Sequence, residues 1–205
     1  MAYHEPVLLA RSVELLSIRP DGFYADLTLG GGGHTRAILE QLGEKGCLFC
    51  LDRDEDAFAN LPDDPRVTPI HANYAHLGRW LRYLEVAHLD GVLMDLGVSS
   101  HHFDEQARGF SYRLDAPLDM RMNQQGTSTA EEILATYSEE ALAELFLRYG
   151  ELRAAAKFAR TIVSERATHP IATTSELVAV AQKAFGTAGS TPKLLGCIFQ
   201  ALRIE

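Results

Sequence analysis

Four consecutive glycines at positions 30–33 constrain this chain more than any other feature. An apolar run at residues 23–27 leads into them, and a helix-like segment starts at His34. A strand-to-helix turn needs glycine where it must adopt positive φ and let a ligand touch bare backbone. A second apolar run, CLFCLD at residues 47–52, ends at Asp52, about twenty residues after the glycines. That is where a doubly wound sheet offers a carboxylate to the two hydroxyls of a ribose. The fold class is therefore α/β, and the turn and the acid together point to an adenosine-containing cofactor.

Further short apolar runs at 67–70 and 91–95 read as strands, each continuous as in a parallel sheet covered on both faces. Helical patterns fill the gaps at 35–42, 56–61 and 77–84, and an opening helix is expected near 11–16. The predicted strand order is 3-2-1-4. After Asp95 the chain is loop-like to residue 126 and then helical, with capping-box spacings at Ser128/Glu131 and Thr173/Glu176. Gly150 reads as a C-terminal cap closing the stripe Leu142, Leu145, Phe146 and Tyr149. The expected organisation is an incomplete Rossmann-like domain over 1–126, then a helical insertion and the start of a return to the sheet over 127–205. No convincing strand follows Asp95, which leaves the fourth strand as an open parallel edge that complete domains avoid. Later strands of the natural sheet are expected to be missing.

The composition of 205 residues, 46% hydrophobic and 23% charged, is that of a globular protein able to bury a core. No apolar run approaches the roughly eighteen residues of a membrane span, and the start, MAYHEPVLLARS, lacks a signal pattern. A cytoplasmic protein is the expectation. Cys47 and Cys50 form a C-x-x-C, but within a strand, where positions three apart face opposite sides. Cys197 is the only other cysteine, so buried structural thiols are the expected reading. The formal charge of −9 lacks the basic footprint usual for a nucleic-acid binder. The imbalance is local, with 15 acids against 8 bases over 1–100 and 5 bases against 2 acids over 148–166. Any polyanion contact should be local as well.

The turn discriminates among cofactors. A dinucleotide fingerprint G-x-G-x-x-G begun at Gly30 would place its third glycine where Thr35 stands, and the G-K-[ST] of a phosphate loop is missing. S-adenosylmethionine carries no phosphate. It needs an acid at the end of strand one, a glycine turn and an acid for the ribose, which Asp26, residues 30–33 and Asp52 supply. A glycine loop without a ligand, with His34 as a simple helix cap, is the bland alternative.

Beyond these features, MDLGVSSHHFDE (94–105), RGFSY (108–112), PLDMRM (117–122), HEPVLL (4–9) and FQALRI (199–204) resemble the MraW (RsmH) family of bacterial ribosomal RNA methyltransferases. The resemblance implies a Rossmann-like S-adenosylmethionine-dependent methyltransferase. Its expected reaction is methylation of the exocyclic amine (N4) of a cytidine in 16S ribosomal RNA, within the small ribosomal subunit. It places the cofactor on Gly32, Gly33, His34, Asp52, Tyr74, Asp95 and His102. The family often has phenylalanine at Tyr74 and glutamine at His102. It also implies further strands after FQALRI, and its H-P-A-T-R is replaced here by TPKLLGCI, so the chain resembles a member truncated within the fold.

Cytosine's amine is a poor nucleophile, because its lone pair is delocalised. A site for it must fix the amine about 3 Å from the methyl, in line with the leaving sulfur, and accept a proton or hydrogen bond. Related amine methyltransferases use an Asn/Asp-Pro-Pro-aromatic motif after strand four, where this chain has Asp95-Leu-Gly-Val-Ser-Ser. Candidate acceptors are Asp104 and Asp119, with Ser99 and Ser100 nearby and Arg108 and Arg121 as possible base or phosphate contacts. Arg153, Lys157 and Arg160 fall on one helical face opposite Ala155, Phe158, Ala159 and Ile162. They read as an RNA-backbone contact or a solvated face. No metal is required, and His101, His102 and Asp104 are a weak metal alternative. Two rival readings remain, a non-catalytic cofactor-binding remnant and a nicotinamide-dependent oxidoreductase.

Overall fold

The computed structural model describes residues 6–97, 106–126 and 128–205. They fall into two compact units, one formed by residues 1–100 with 122–124 and the other by 101–121 with 125–205. Residues 101–121, which the sequence groups with the sheet, thus cluster with the helices.

The first unit opens with α1 (Leu9–Leu16) and then alternates: β1 (Phe23–Asp26), α2 (Gly33–Leu39), β2 (Cys47–Asp52), β3 (Val67–His71), α3 (Leu77–Tyr83) and β4 (Gly91–Leu93). The strands form one parallel sheet in the order β3-β2-β1-β4, as the sequence predicts. Strand periodicity sends alternate residues to opposite faces. Tyr24, Leu48, Cys50 and Leu93 pack with Val13 of α1 and Ile38 and Leu39 of α2. Ala25, Phe49, Leu51 and Ile70 pack on the other face, against Leu77, Trp80 and Leu81 of α3. Burial on both faces explains why these strands read as continuous apolar runs.

The expected helix at 56–61 is a single 3₁₀ segment, Glu55–Asn60, opened by the Asp54 side chain accepting from the Asp56 N–H. Among the described residues no strand lies beyond β4, whose Val92 is 43% exposed, with Met94 and Leu96 after it also exposed.

The second unit holds α4 (Ala130–Thr136), α5 (Glu139–Arg148), α6 (Ala155–Arg166), α7 (Thr174–Phe185) and α8 (Pro192–Ile204). Phe146 of α5 and Phe158 of α6 meet edge to face at a 4.8 Å centroid separation, both fully buried. The Thr173/Glu176 capping box forms as expected, whereas the other lies one residue later than predicted, at Thr129/Glu132. Gly150 follows α5 without taking positive φ; Glu151 does, at 51°. Glycine is needed at 150 for close approach, since a Cβ there would stand 2.8 Å from the Cys197 carbonyl of α8.

Candidate cofactor site

In a parallel sheet every strand ends on the same rim, and ligands of open α/β folds bind beyond it. Residues 30–33 follow β1, Asp52 closes β2, Tyr74 follows β3 and Asp95 follows β4. The structure therefore brings Gly32, Gly33, His34, Asp52, Tyr74 and Asp95 to one rim, while His102 lies outside the described residues. Gly30 and Gly32 take φ of +45° and +71°, and a Cβ on Gly32 would stand 2.8 Å from the Asn60 carbonyl. Only glycine satisfies both demands at Gly32.

Asp52 is half-buried and braces the turn. Its Oδ2 accepts from the Gly30 N–H at 2.9 Å, and its Oδ1 from the Asp54 N–H at 2.9 Å. Each carboxylate oxygen keeps acceptor capacity beyond one bond, so ribose hydroxyls could still donate to it. Tyr74 opens a short 3₁₀ segment (Tyr74–His76) and is 40% exposed, which leaves its ring available for stacking. Asp95 is exposed, and its N–H donates to Thr28 Oγ1 at 2.8 Å.

Asp26 corrects the sequence reading. It is fully buried, its Oδ2 accepting from Thr35 Oγ1 at 2.7 Å and its Oδ1 from the Thr28 N–H at 3.1 Å. Burial raises its carboxyl above the ordinary range, against the opposing effect of these bonds and of His34. Asp26 is an internal strut and not a ligand contact. Thr35 Oγ1 also meets Cys50 Sγ at 3.5 Å, and burial pushes that thiol up to about 12. All three cysteines are free; Cys50 is buried as expected, whereas Cys47 and Cys197 are only half-buried.

His34 is the second residue of α2 and 5% exposed, and its Nε2 has no hydrogen-bond partner. The N-cap is Gly32, with no side-chain cap bond, so the capping alternative for His34 fails. A buried polar atom without a partner is costly, and a ligand on the turn would relieve it. Together with Thr35 in place of a third fingerprint glycine and the Asp52 carboxylate on the same rim, this fits S-adenosylmethionine. Sequence reasoning missed Asn60 and Arg36. Asn60 donates to the Gly30 carbonyl at 3.0 Å, and Arg36 to the Gly31 carbonyl at 2.8 Å. Neither belongs to a motif, so only geometry reveals them.

In the second unit Asp119 is clasped by Arg121, with Nε and Nη2 donating at 2.8 and 2.7 Å, and its carboxyl lies below the usual range chiefly for that reason. A carboxylate held this way is a weaker base than a free one. Arg121 also donates to the Gly126 carbonyl, and Arg108 is buried and donates to the Arg121 carbonyl. Both arginines brace their own loop. Asp104, Ser99, Ser100 and the suggested histidine pair lie outside the described residues. No group of three or more His, Cys, Asp or Glu able to hold a metal occurs among the described residues. Of the basic stripe, Lys157 and Arg160 lie exposed on α6, whereas Arg153 precedes the helix. Arg160 pairs with Glu139 at 3.2 Å, and Lys157 lies over the Phe185 ring at 5.8 Å.

A parallel β3-β2-β1-β4 sheet, with a glycine turn after β1 and the Asp52 carboxylate closing β2, defines a Rossmann-like methyltransferase fold. The comparison with known proteins agrees. The chain belongs to the MraW methylase family, whose pattern it matches over residues 1–205. It is 48% identical over 203 residues to ribosomal RNA small subunit methyltransferase H of Bacteroides fragilis, covering 99% of this chain and 66% of that protein. The protein of the same name from Christiangramia forsetii is 49% identical, covering 100% of this chain and 68% of the relative. The chain thus spans about two thirds of the length of the curated relatives it matches.

Proposed function

We propose that this chain is the cofactor-binding and helical part of an S-adenosylmethionine-dependent methyltransferase. Its substrate would be the exocyclic amine (N4) of a cytidine in 16S ribosomal RNA of the small subunit, in the cytoplasm. The observation that carries the reading is the rim in a member of the MraW methylase family: a glycine turn with Thr35 where a dinucleotide fingerprint needs glycine, the Asp52 carboxylate fastened to the turn and the orphaned Nε2 of buried His34. The relatives' names supply the substrate class.

When bound, S-adenosylmethionine supplies a methyl carbon made electrophilic by its positive sulfur. The protein's own task is placement. Asp52 would take the ribose hydroxyls, Tyr74 would stack on the adenine, and Gly32, Gly33 and His34 would set the depth of the methionine part. Asp95 would complete the cofactor contacts after β4, next to the incoming base. Extracting that base from a stack costs a few kcal/mol, so a looped or single-stranded target suits the chemistry. As the nitrogen takes the methyl it releases one proton; Asp104 is the better acceptor candidate, since Asp119 is engaged by Arg121.

A second reading is a cofactor-binding module without catalysis. Calorimetry with S-adenosylmethionine and with NAD tests the cofactor, and methyl transfer to small-subunit RNA separates the two readings. Asp52→Ala should weaken S-adenosylmethionine by about 1.5–3 kcal/mol, the range for hydrogen bonds to a charged group. Affinity within twofold of the parent would remove Asp52 from the site.

A further inference from the structure

Four glycines in a row are the most flexible stretch a chain can contain, and ordering them costs more backbone entropy than any other sequence. Something must hold such a turn if it is to receive a ligand without that penalty. Within the turn Asp52 holds one N–H, that of Gly30, its other oxygen being taken by the Asp54 N–H. The carbonyl side is held by two side chains with no assigned role.

Asn60, the last residue of the 3₁₀ segment after β2, donates from Nδ2 to the Gly30 carbonyl at 3.0 Å. Arg36 of α2 donates from Nη1 to the Gly31 carbonyl at 2.8 Å and from Nη2 to the backbone carbonyl of Asn60 at 2.9 Å. The guanidinium thus ties the turn to the 3₁₀ segment while Asn60 holds the neighbouring peptide. A trans peptide sets its carbonyl and its N–H on opposite sides. Fixing the carbonyls of Gly30 and Gly31 therefore fixes the directions of the Gly31 and Gly32 N–H groups, and the second of these closes on the Leu29 carbonyl at 2.7 Å. The same clamp presses the Asn60 carbonyl against Gly32, leaving no room for a side chain there. Arg36 is exposed and Asn60 half-buried, so neither is part of the apolar core.

We propose that Arg36 and Asn60 are positioning residues that hold the glycine turn in its ligand-ready shape before the cofactor arrives. The proposal rests on the cofactor reading above. Pre-ordering of this kind raises affinity by removing an ordering cost from the binding step. It acts on binding entropy and on the free protein, with no contact to the ligand itself.

The test uses Arg36→Ala, Asn60→Ala and the double variant, with Arg36→Lys as the conservative partner. Amide hydrogen exchange at residues 30–33 in the free protein should quicken at least tenfold in the double variant, while the strands keep the parent's protection. Titration with S-adenosylmethionine should show about tenfold weaker binding with a more unfavourable entropy, partly restored by Arg36→Lys. Glycine amides exchanging at the parent's rate in the double variant would overturn the clamp, whether or not the cofactor binds. Faster exchange together with affinity within twofold of the parent would also overturn the positioning role. A parent chain that does not bind S-adenosylmethionine would remove the cofactor reading, leaving exchange alone to decide the clamp.

Discussion

Replacing Thr35 by valine removes one oxygen from the interior and almost nothing else. The two side chains have nearly the same shape, and both are β-branched, so helix preference and volume are kept. What is lost is the 2.7 Å bond to Asp26 Oδ2, at a site where both residues are fully buried. A hydrogen bond to a charged group contributes about 1.5–3 kcal/mol, and no solvent is present to replace it. Urea unfolding at pH 8 should therefore show a loss of about 2 kcal/mol with an unchanged m-value.

The penalty should also depend on pH, with a definite sign. Burial raises the Asp26 carboxyl in the folded protein, so its contribution to stability is fully present below the unfolded value, near 3.9, and is lost as pH rises through the raised folded value. Thr35 opposes that rise; without it the carboxyl moves further up and the loss at high pH deepens. The difference between variant and parent should be smallest in acid and grow as pH rises. A difference below about 0.5 kcal/mol, the scatter of neutral substitutions, or one that shrinks as pH rises, would refute the strut.

Three further outcomes follow from features already described. Replacing Arg153, Lys157 and Arg160 by alanine should reduce the salt dependence of single-stranded RNA binding by about two units of log–log slope, roughly 0.7 per phosphate contact, without changing cofactor affinity. An unchanged slope would make the stripe a solvated face. Val92 is exposed on β4, beside which no further strand lies among the described residues, and should make this 205-residue chain self-associate; Val92→Lys should shift sedimentation toward monomer, and a parent that is monomeric at all concentrations would refute this. Cys50, its thiol pushed up to about 12, should resist alkylation at pH 8 while Cys47 and Cys197 react; modification of all three at equal rates would show that the sheet opens.

The sheet was legible because its central strands β1 and β2 are buried on both faces, so each reads as an apolar run closed by an acid. The glycine turn and Asp52 were legible because backbone conformation and strand-end position leave a mark on residue type. Asp26 was misread for the same reason: an acid closing β1 looks identical in sequence whether its oxygens face a ligand or are taken by Thr28 and Thr35. Nothing short of the fold reveals that Thr35 lies against it. Asn60 and Arg36 escaped notice because clamping a carbonyl demands only a donor of suitable reach, which many residue types supply. The capping box was displaced by one position because Ser128 and Thr129 are both competent caps, each with a glutamate three residues on, and local chemistry does not choose between them.

The strut beneath the turn also limits how such a protein could change its ligand over generations. Accepting a pyrophosphate would call for glycine at 35 while keeping the acid after β2. Thr35→Gly leaves the buried Asp26 Oδ2 without its donor, with only the Thr28 N–H still held by the other oxygen. That first step damages the protein before any new ligand can compensate.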